Sequence, residues 1–131
     1  MNTQLMHDTL HQSEAGNFTF PQVVVALAGT GVESYRADLI TAQDTFYLPD
    51  GRTHVEPMTL PVVPVAEDFS AAEVQAAIRA AQADTIRYPE FLKRAMAAGT
   101  AAYHVFITGG KVIYFGRKGD FHVELFPGAK T

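Results

Sequence analysis

Apolar positions recur first at helical and then at strand spacing, and this succession runs through the chain twice. Val74, Ala77, Ile78 and Ala81 stand at i, i+3, i+4 and i+7, which puts them on one stripe of a helix running to about Ala83. Ser70 and Glu73 have capping-box spacing, so the helix is predicted to start there. Pro89 suits the first helical position, and Gly99 suits the left-handed residue just past a helix end. Between them a short helix buries Phe91, Leu92, Ala95 and Met96. After Gly99 the period drops from about 3.6 to about 2. Residues 103–107, 112–115 and 121–125 then read as three strands rich in β-branched and aromatic side chains.

Two tight turns join these strands, at Gly109-Gly110 and Lys118-Gly119. If each turn is two residues long, Tyr103, Val105, Ile107, Val112, Tyr114 and Val123 share the face that meets the helices. The opposite face then carries His104, Phe115 and His122 in one row, with Phe106, Ile113 and Glu124 in the next.

Residues 20–56 align with residues 88–124 at a constant offset of 68 without a gap. Seven of the 37 columns are identical, among them Pro21/Pro89, Gly31/Gly99, Tyr35/Tyr103 and His54-Val55-Glu56/His122-Val123-Glu124. Ordinary composition gives roughly two, so an internal repeat is the working expectation. By the same offset, Val23, Val24, Leu27 and Ala28 form the buried face of a helix between Pro21 and Gly31. Met6, Thr9, Leu10 and Ser13 form a weaker version of the stripe at 74–81. The outer rows of the first copy become Arg36, Tyr47 and His54, then Asp38, Thr45 and Glu56.

The expected fold is α+β, a tandem pseudo-twofold repeat of α-α-β-β-β units (about 1–56 and 70–127) forming one domain over 1–131. The halves either share one antiparallel sheet or pack two, with helices on one face. Residues 57–69 join them. Pro57, Pro61 and Pro64 exclude a helix and a central strand there, so an extended connector is expected to lay its valines and leucine on the body of the protein.

Composition narrows the chemistry. Of 131 residues 47% are hydrophobic and 18% charged, enough to fill a core. Net charge is −4 with dispersed Lys and Arg, so no basic stripe offers a nucleic-acid footprint. The absence of cysteine removes disulfides and thiolate catalysis. No stretch approaches the roughly 18 apolar residues of a membrane span, and the first eleven residues lack a signal-peptide pattern. A soluble cytoplasmic protein is expected.

His-Val-Glu closes both copies, and i, i+2 spacing on a strand sends each His and Glu to one side. If the two strands meet, His54, Glu56, His122 and Glu124 converge as a ligand set suited to zinc or another divalent ion. If they do not, each His pairs with a neighbouring acid or stacks on Tyr47 or Phe115. General acid/base work by a His and Glu of one copy, assisted by Tyr47 or His104, is the enzymatic alternative, a hydrolase-like activity. No G-x-S-x-G, P-loop, H-E-x-x-H or dinucleotide glycine pattern is present. His7 and His11, at i, i+4, have a spacing that could bind a metal, but a solvated helix face accounts for them better. Arg36 and Asp38 are expected to form modest ion pairs.

The strings Phe20-Pro21-Gln22-Val23-Val24, Gly31-Val32-Glu33-Ser34-Tyr35, His54-Val55-Glu56-Pro57 and Tyr88-Pro89-Glu90-Phe91-Leu92 stand in this order along the chain. With Tyr114-Phe115-Gly116 and Phe121-His122-Val123-Glu124, they resemble the YdfO-like family of small bacterial and prophage-borne proteins, often labelled "phage envelope protein". The resemblance covers nearly the whole chain and implies an α+β domain of unknown function, with no catalytic residues to carry over.

The leading expectation is a non-catalytic module that binds a small ligand or a protein. Its surface is the polar sheet face of Arg36, Asp38, Tyr47, His54, Glu56, His104, Phe115, His122 and Glu124. Phe106, Ile113 and Phe115 on that face suggest cover by the other half or by a second copy in a homodimer. No cofactor is expected beyond the conditional metal.

Overall fold

Local capping starts the helices of the computed structural model, which describes residues 1–127. Asn2 accepts the Leu5 N–H at 3.0 Å to open α1 (Thr3–Glu14). Thr19 and Gln22 close a reciprocal capping box at α2 (Phe20–Ala28), a signal not read from the sequence. Ser70 accepts the Glu73 N–H at 3.2 Å to open α3 (Ala71–Gln82). No side chain caps α4 (Tyr88–Ala97), which carries Pro89 in its first turn, where a missing N–H costs nothing. The buried stripes of α1 (Met6, Thr9, Leu10 and Ser13) and α4 are the expected ones, whereas in α2 only Val23 and Leu27 are buried, Val24 is half-buried and Ala28 is exposed, and in α3 Ala81 is half-buried.

Three strands follow each helix pair: β1 (Ser34–Asp38), β2 (Gln43–Tyr47) and β3 (Thr53–Pro57) after α2, and β4 (Thr100–Phe106), β5 (Lys111–Gly116) and β6 (Phe121–Leu125) after α4. They form one antiparallel sheet in the order β3-β2-β1-β4-β5-β6, joined at its centre by β1 and β4. Of the two sheet arrangements open from the sequence, the shared one is found, in an α+β fold. Each cross-strand pair between Tyr35 and Phe46, or Phe46 and His54, has a counterpart 68 residues on, at Tyr103 and Tyr114, or Tyr114 and His122. The helix stripes and Tyr35, Phe46, Val105 and Tyr114 form one core.

The turns differ from expectation, with unequal consequences. Phe106 faces Lys111, so residues 107–110 make a four-residue loop instead of a two-residue one. That displaces the register by two and leaves every β5 side chain on its expected face. The β5–β6 connection is residues 117–119: Phe115 faces Phe121, and the Gly116 N–H donates to the Asp120 carbonyl at 2.8 Å. A three-residue loop ending in a left-handed glycine, here Gly119 at φ +90°, displaces the register by one and exchanges the faces of β6. His122 and Glu124 therefore stand on the helix-facing side beside Tyr114 and Val112, while Val123 points to the open side. In the first half, His54 lies opposite Phe46 and Glu56 opposite Asp44 on the same helix-facing side.

The connector is extended as expected. Met58 is buried, and Leu60, Val63 and Val65 pack partly on the core, whereas Val62 is fully exposed.

Candidate functional site

The open sheet face brings together five of the nine expected binding residues: Arg36, Asp38, Tyr47, His104 and Phe115. Arg36 faces His104 across the central strand pair, and its guanidinium carbon sits 5.2 Å from the centre of the Phe115 ring. Asp38 does not pair with it. Instead the Asp38 carboxylate accepts the Ile40 and Thr41 N–H groups at 2.9 and 3.0 Å and holds the β1–β2 turn. His104 is stacked between Tyr47 at 5.5 Å and Phe106 at 4.3 Å, so the rings of this face cover one another. Burial, and then the nearby Arg36 charge, lower the His104 pKa below the ordinary imidazole value. The ring is held by stacking, and its Nε2 is buried without a hydrogen-bond partner among the described residues.

The remaining four lie at the two far edges of the sheet. β3 and β6 are five strand steps apart, roughly 24 Å at about 4.8 Å per step, so the two His-Val-Glu strands do not meet. Among the described residues, no group of three or more His, Cys, Asp or Glu side chains is placed to hold a metal ion. His54, Glu56, His122 and Glu124 thus do not form the shared ligand set. Each pair serves its own edge. His54 Nε2 is 2.8 Å from one Glu56 oxygen and His7 Nδ1 is 3.2 Å from the other, tying β3 to α1. Burial pushes the Glu56 carboxyl up, but hydrogen bonds from His54 and His7 and their charge outweigh it, leaving the pKa below the ordinary value. At the other edge His122 Nε2 lies 3.1 Å from Glu124, which also takes Arg79 of α3. A Glu56→Gln variant is expected to lose about 1 kcal/mol at neutral pH in urea unfolding, since the amide accepts only one of the two bonds and carries no charge. An unchanged midpoint would show that this clamp does not hold α1 to the sheet.

The sequence pattern did not single out the residue with the most unusual environment. A cavity of about 340 Å³ opens between the helix pairs and the sheet. Its walls are largely apolar, with Leu10, Val23, Ile78 and Phe91 among them, and its polar groups include Asp44, Glu124 and the tyrosines at 35, 88, 103 and 114. Asp44 stands on β2 at an inward position, two residues from Phe46, where the second half has buried Val112. It is 1% exposed, and its Oδ1 is buried without a hydrogen-bond partner among the described residues. Burial, then the charges of Glu14 and Glu56, push its carboxyl up to about 8. A signal was available: a carboxylate at the place of Val112, 68 residues earlier, on the strand face that also carries Phe46.

Around it, Tyr88 and Tyr103 share a hydroxyl hydrogen bond of 2.6 Å. Burial holds the phenols of Tyr35, Tyr88 and Tyr103 protonated far above their usual range. The site therefore combines apolar walls, ring faces and one acid near its titration point, a pattern found at small-molecule sites.

No described helix is long and apolar enough to cross a membrane. The family model described as "Protein of unknown function (DUF1398)" matches residues 8–124. No curated protein matches the chain.

Proposed function

We propose that this chain, which belongs to the DUF1398 family of proteins of unknown function, is a binding module for a small, largely apolar molecule seated between its helix pairs and its sheet. The observation that carries this reading is Asp44, a buried carboxyl with an unpartnered oxygen in the lining of an apolar cavity. An orphaned buried acid costs folding energy, and a ligand supplying its missing partner recovers that cost. The open face supports a binding role less well, because Arg36, Tyr47, His104 and Phe115 are engaged with one another or with neighbouring rings.

Nuclear magnetic resonance titration with small aromatic probes such as indole tests this reading. Shifts are expected at Tyr35, Tyr103 and Tyr114, and Ala81→Phe, which fills the cavity from α3, is expected to abolish them. Probes that leave the tyrosines unmoved, or that shift them equally in the filled variant, would overturn it.

Acid/base catalysis is the second reading, favoured by the same carboxyl's pKa of about 8. Its centre would be Asp44, since the His-Val-Glu strands are occupied as edge clamps. Turnover of a bound compound that disappears in Asp44→Asn while binding persists would favour it. The ordered strings around Pro21, Gly31 and Pro89 also support placing the chain near the YdfO-like prophage-borne proteins.

A further inference from the structure

We propose that the ligand of this cavity is an organic ammonium ion, its charged head against the Asp44 carboxylate among the tyrosine rings and its hydrocarbon part along the apolar wall. This rests on the cavity being the binding site and adds the chemical class of its occupant.

The sign of the surrounding charge selects a cation. Glu56 stands directly across the strand pair from Asp44, and Glu14 approaches from the end of α1; both charges act on the Asp44 carboxyl. The arginines nearby are engaged: Arg87 pairs with Asp84 at 3.0 Å, and Arg79 pairs with Glu124. An anionic head would add to this repulsion, and a neutral one would leave it in place. A cation relieves it.

The rings point the same way. Tyr35 on β1, Tyr103 on β4, Tyr88 on α4 and Tyr114 on β5 line the cavity together with Phe91, and a positive head over such ring faces is attracted by their quadrupoles. Because burial keeps these phenols protonated, they offer faces and dipoles without further negative charge. The cavity volume, about 340 Å³, suits a head of a few carbons and one ring.

The proton balance makes the assignment testable. With a carboxyl pKa of about 8 the free site holds a proton at pH 6–7. Binding of a permanent cation gives an ionised Asp44 paired with the ligand and one proton released to solvent. The groups facing Asp44 are Tyr35, Glu56, Glu14, Tyr88 and Tyr103. His54 and His7 contact Glu56, and loss of the release in Asp44→Asn assigns the proton to Asp44.

Calorimetric titration of the full chain with benzyltrimethylammonium, its neutral isostere 2-methyl-1-phenyl-2-propanol, and phenylacetate, in buffers of different ionisation enthalpy, separates the three ligand charges. The cation is expected to bind at least tenfold more tightly than the alcohol at pH 8. Its affinity is expected to rise about tenfold from pH 6 to pH 7, with about one proton released. Asp44→Asn is expected to lose both the preference for the cation over the alcohol and the proton release. Should that variant fold poorly, the number of protons released by the native chain answers the same question. If the alcohol binds as tightly as the cation and no proton is released, the ammonium assignment falls while the cavity stands as a binding site. If none of the three binds, the cavity reading falls with it.

Discussion

Between pH 4 and pH 8 the unfolding free energy of the native chain is expected to fall, and Asp44→Asn is expected to flatten that fall. The Asp44 carboxyl is raised from 3.8 to about 8 on folding, because the apolar cavity and core strip its water away and Glu14 and Glu56 add like charge. Over this window the folded state holds a proton that the unfolded state has released, so raising the pH favours unfolding. The contribution is fully present below the unfolded value and is lost as the pH rises through the folded one. The slope approaches about 1.4 kcal/mol per pH unit, which sums to several kcal/mol across the window.

Glu56 acts with the opposite sign. Its lowered pKa gives stability that is present above its unfolded value and lost as the pH falls through its folded one. The Asp44→Asn variant separates the two. At pH 5 its buried amide, lacking a partner, is expected to cost about 1 kcal/mol relative to the native chain. At pH 8 the order reverses and the variant is the more stable protein. Urea unfolding at pH 5, 6, 7 and 8 measures this. Parallel profiles for the two proteins would mean that Asp44 is solvated in the folded state, and a ligand would then have no orphaned acid to satisfy.

Gly99→Ala is expected to destabilise the chain by more than about 3 kcal/mol, while the equivalent Gly31→Ala costs about 1. Both glycines follow a helix with positive φ, +96° and +85° respectively, where any side chain carries the left-handed penalty. Their surroundings separate them. A Cβ on Gly99 would lie 2.2 Å from the Asp68 carbonyl oxygen and 2.8 Å from the Phe69 Cα, and backbone cannot turn aside as a flexible side chain can. A Cβ on Gly31 meets nothing within 4 Å. The close approach at Gly99 is made by the end of the connector, whose Ser70 N–H donates to the Ala98 carbonyl at 2.8 Å. Thermal unfolding of the two variants checks the asymmetry, and equal losses would mean that the connector yields without cost.

These two sites also show how far the sequence could be read. That residues 31 and 99 end helices follows from glycine chemistry alone. That one of them touches a carbonyl 31 positions earlier follows from how the connector docks, and no local pattern encodes it. The strand faces divide in the same way. An error of two residues in the β4–β5 loop left Tyr103, Val105, Val112 and Tyr114 together, because side chains alternate with a period of two. An error of one in the β5–β6 loop moved His122 and Glu124 to the other side of the sheet. Lys118-Gly119 fits a two-residue turn as well as the end of a three-residue loop, and the flanking pattern of Phe121 and Val123 on one side and His122 and Glu124 on the other did not arbitrate.

Periodicity, caps, prolines and glycines by themselves determined the helices and strands of the second half, since each is a property of neighbouring residues along the chain, and the 68-residue offset carried those elements to the first half. Tertiary structure alone decided that β1 joins β4, that the two His-Val-Glu strands lie at opposite edges, and that the Asp44 carboxyl is sealed against a cavity with no partner among the described residues. Strand order and burial are set by contacts between residues distant in sequence, and a carboxyl's pKa follows from those contacts, not from its neighbours in the chain.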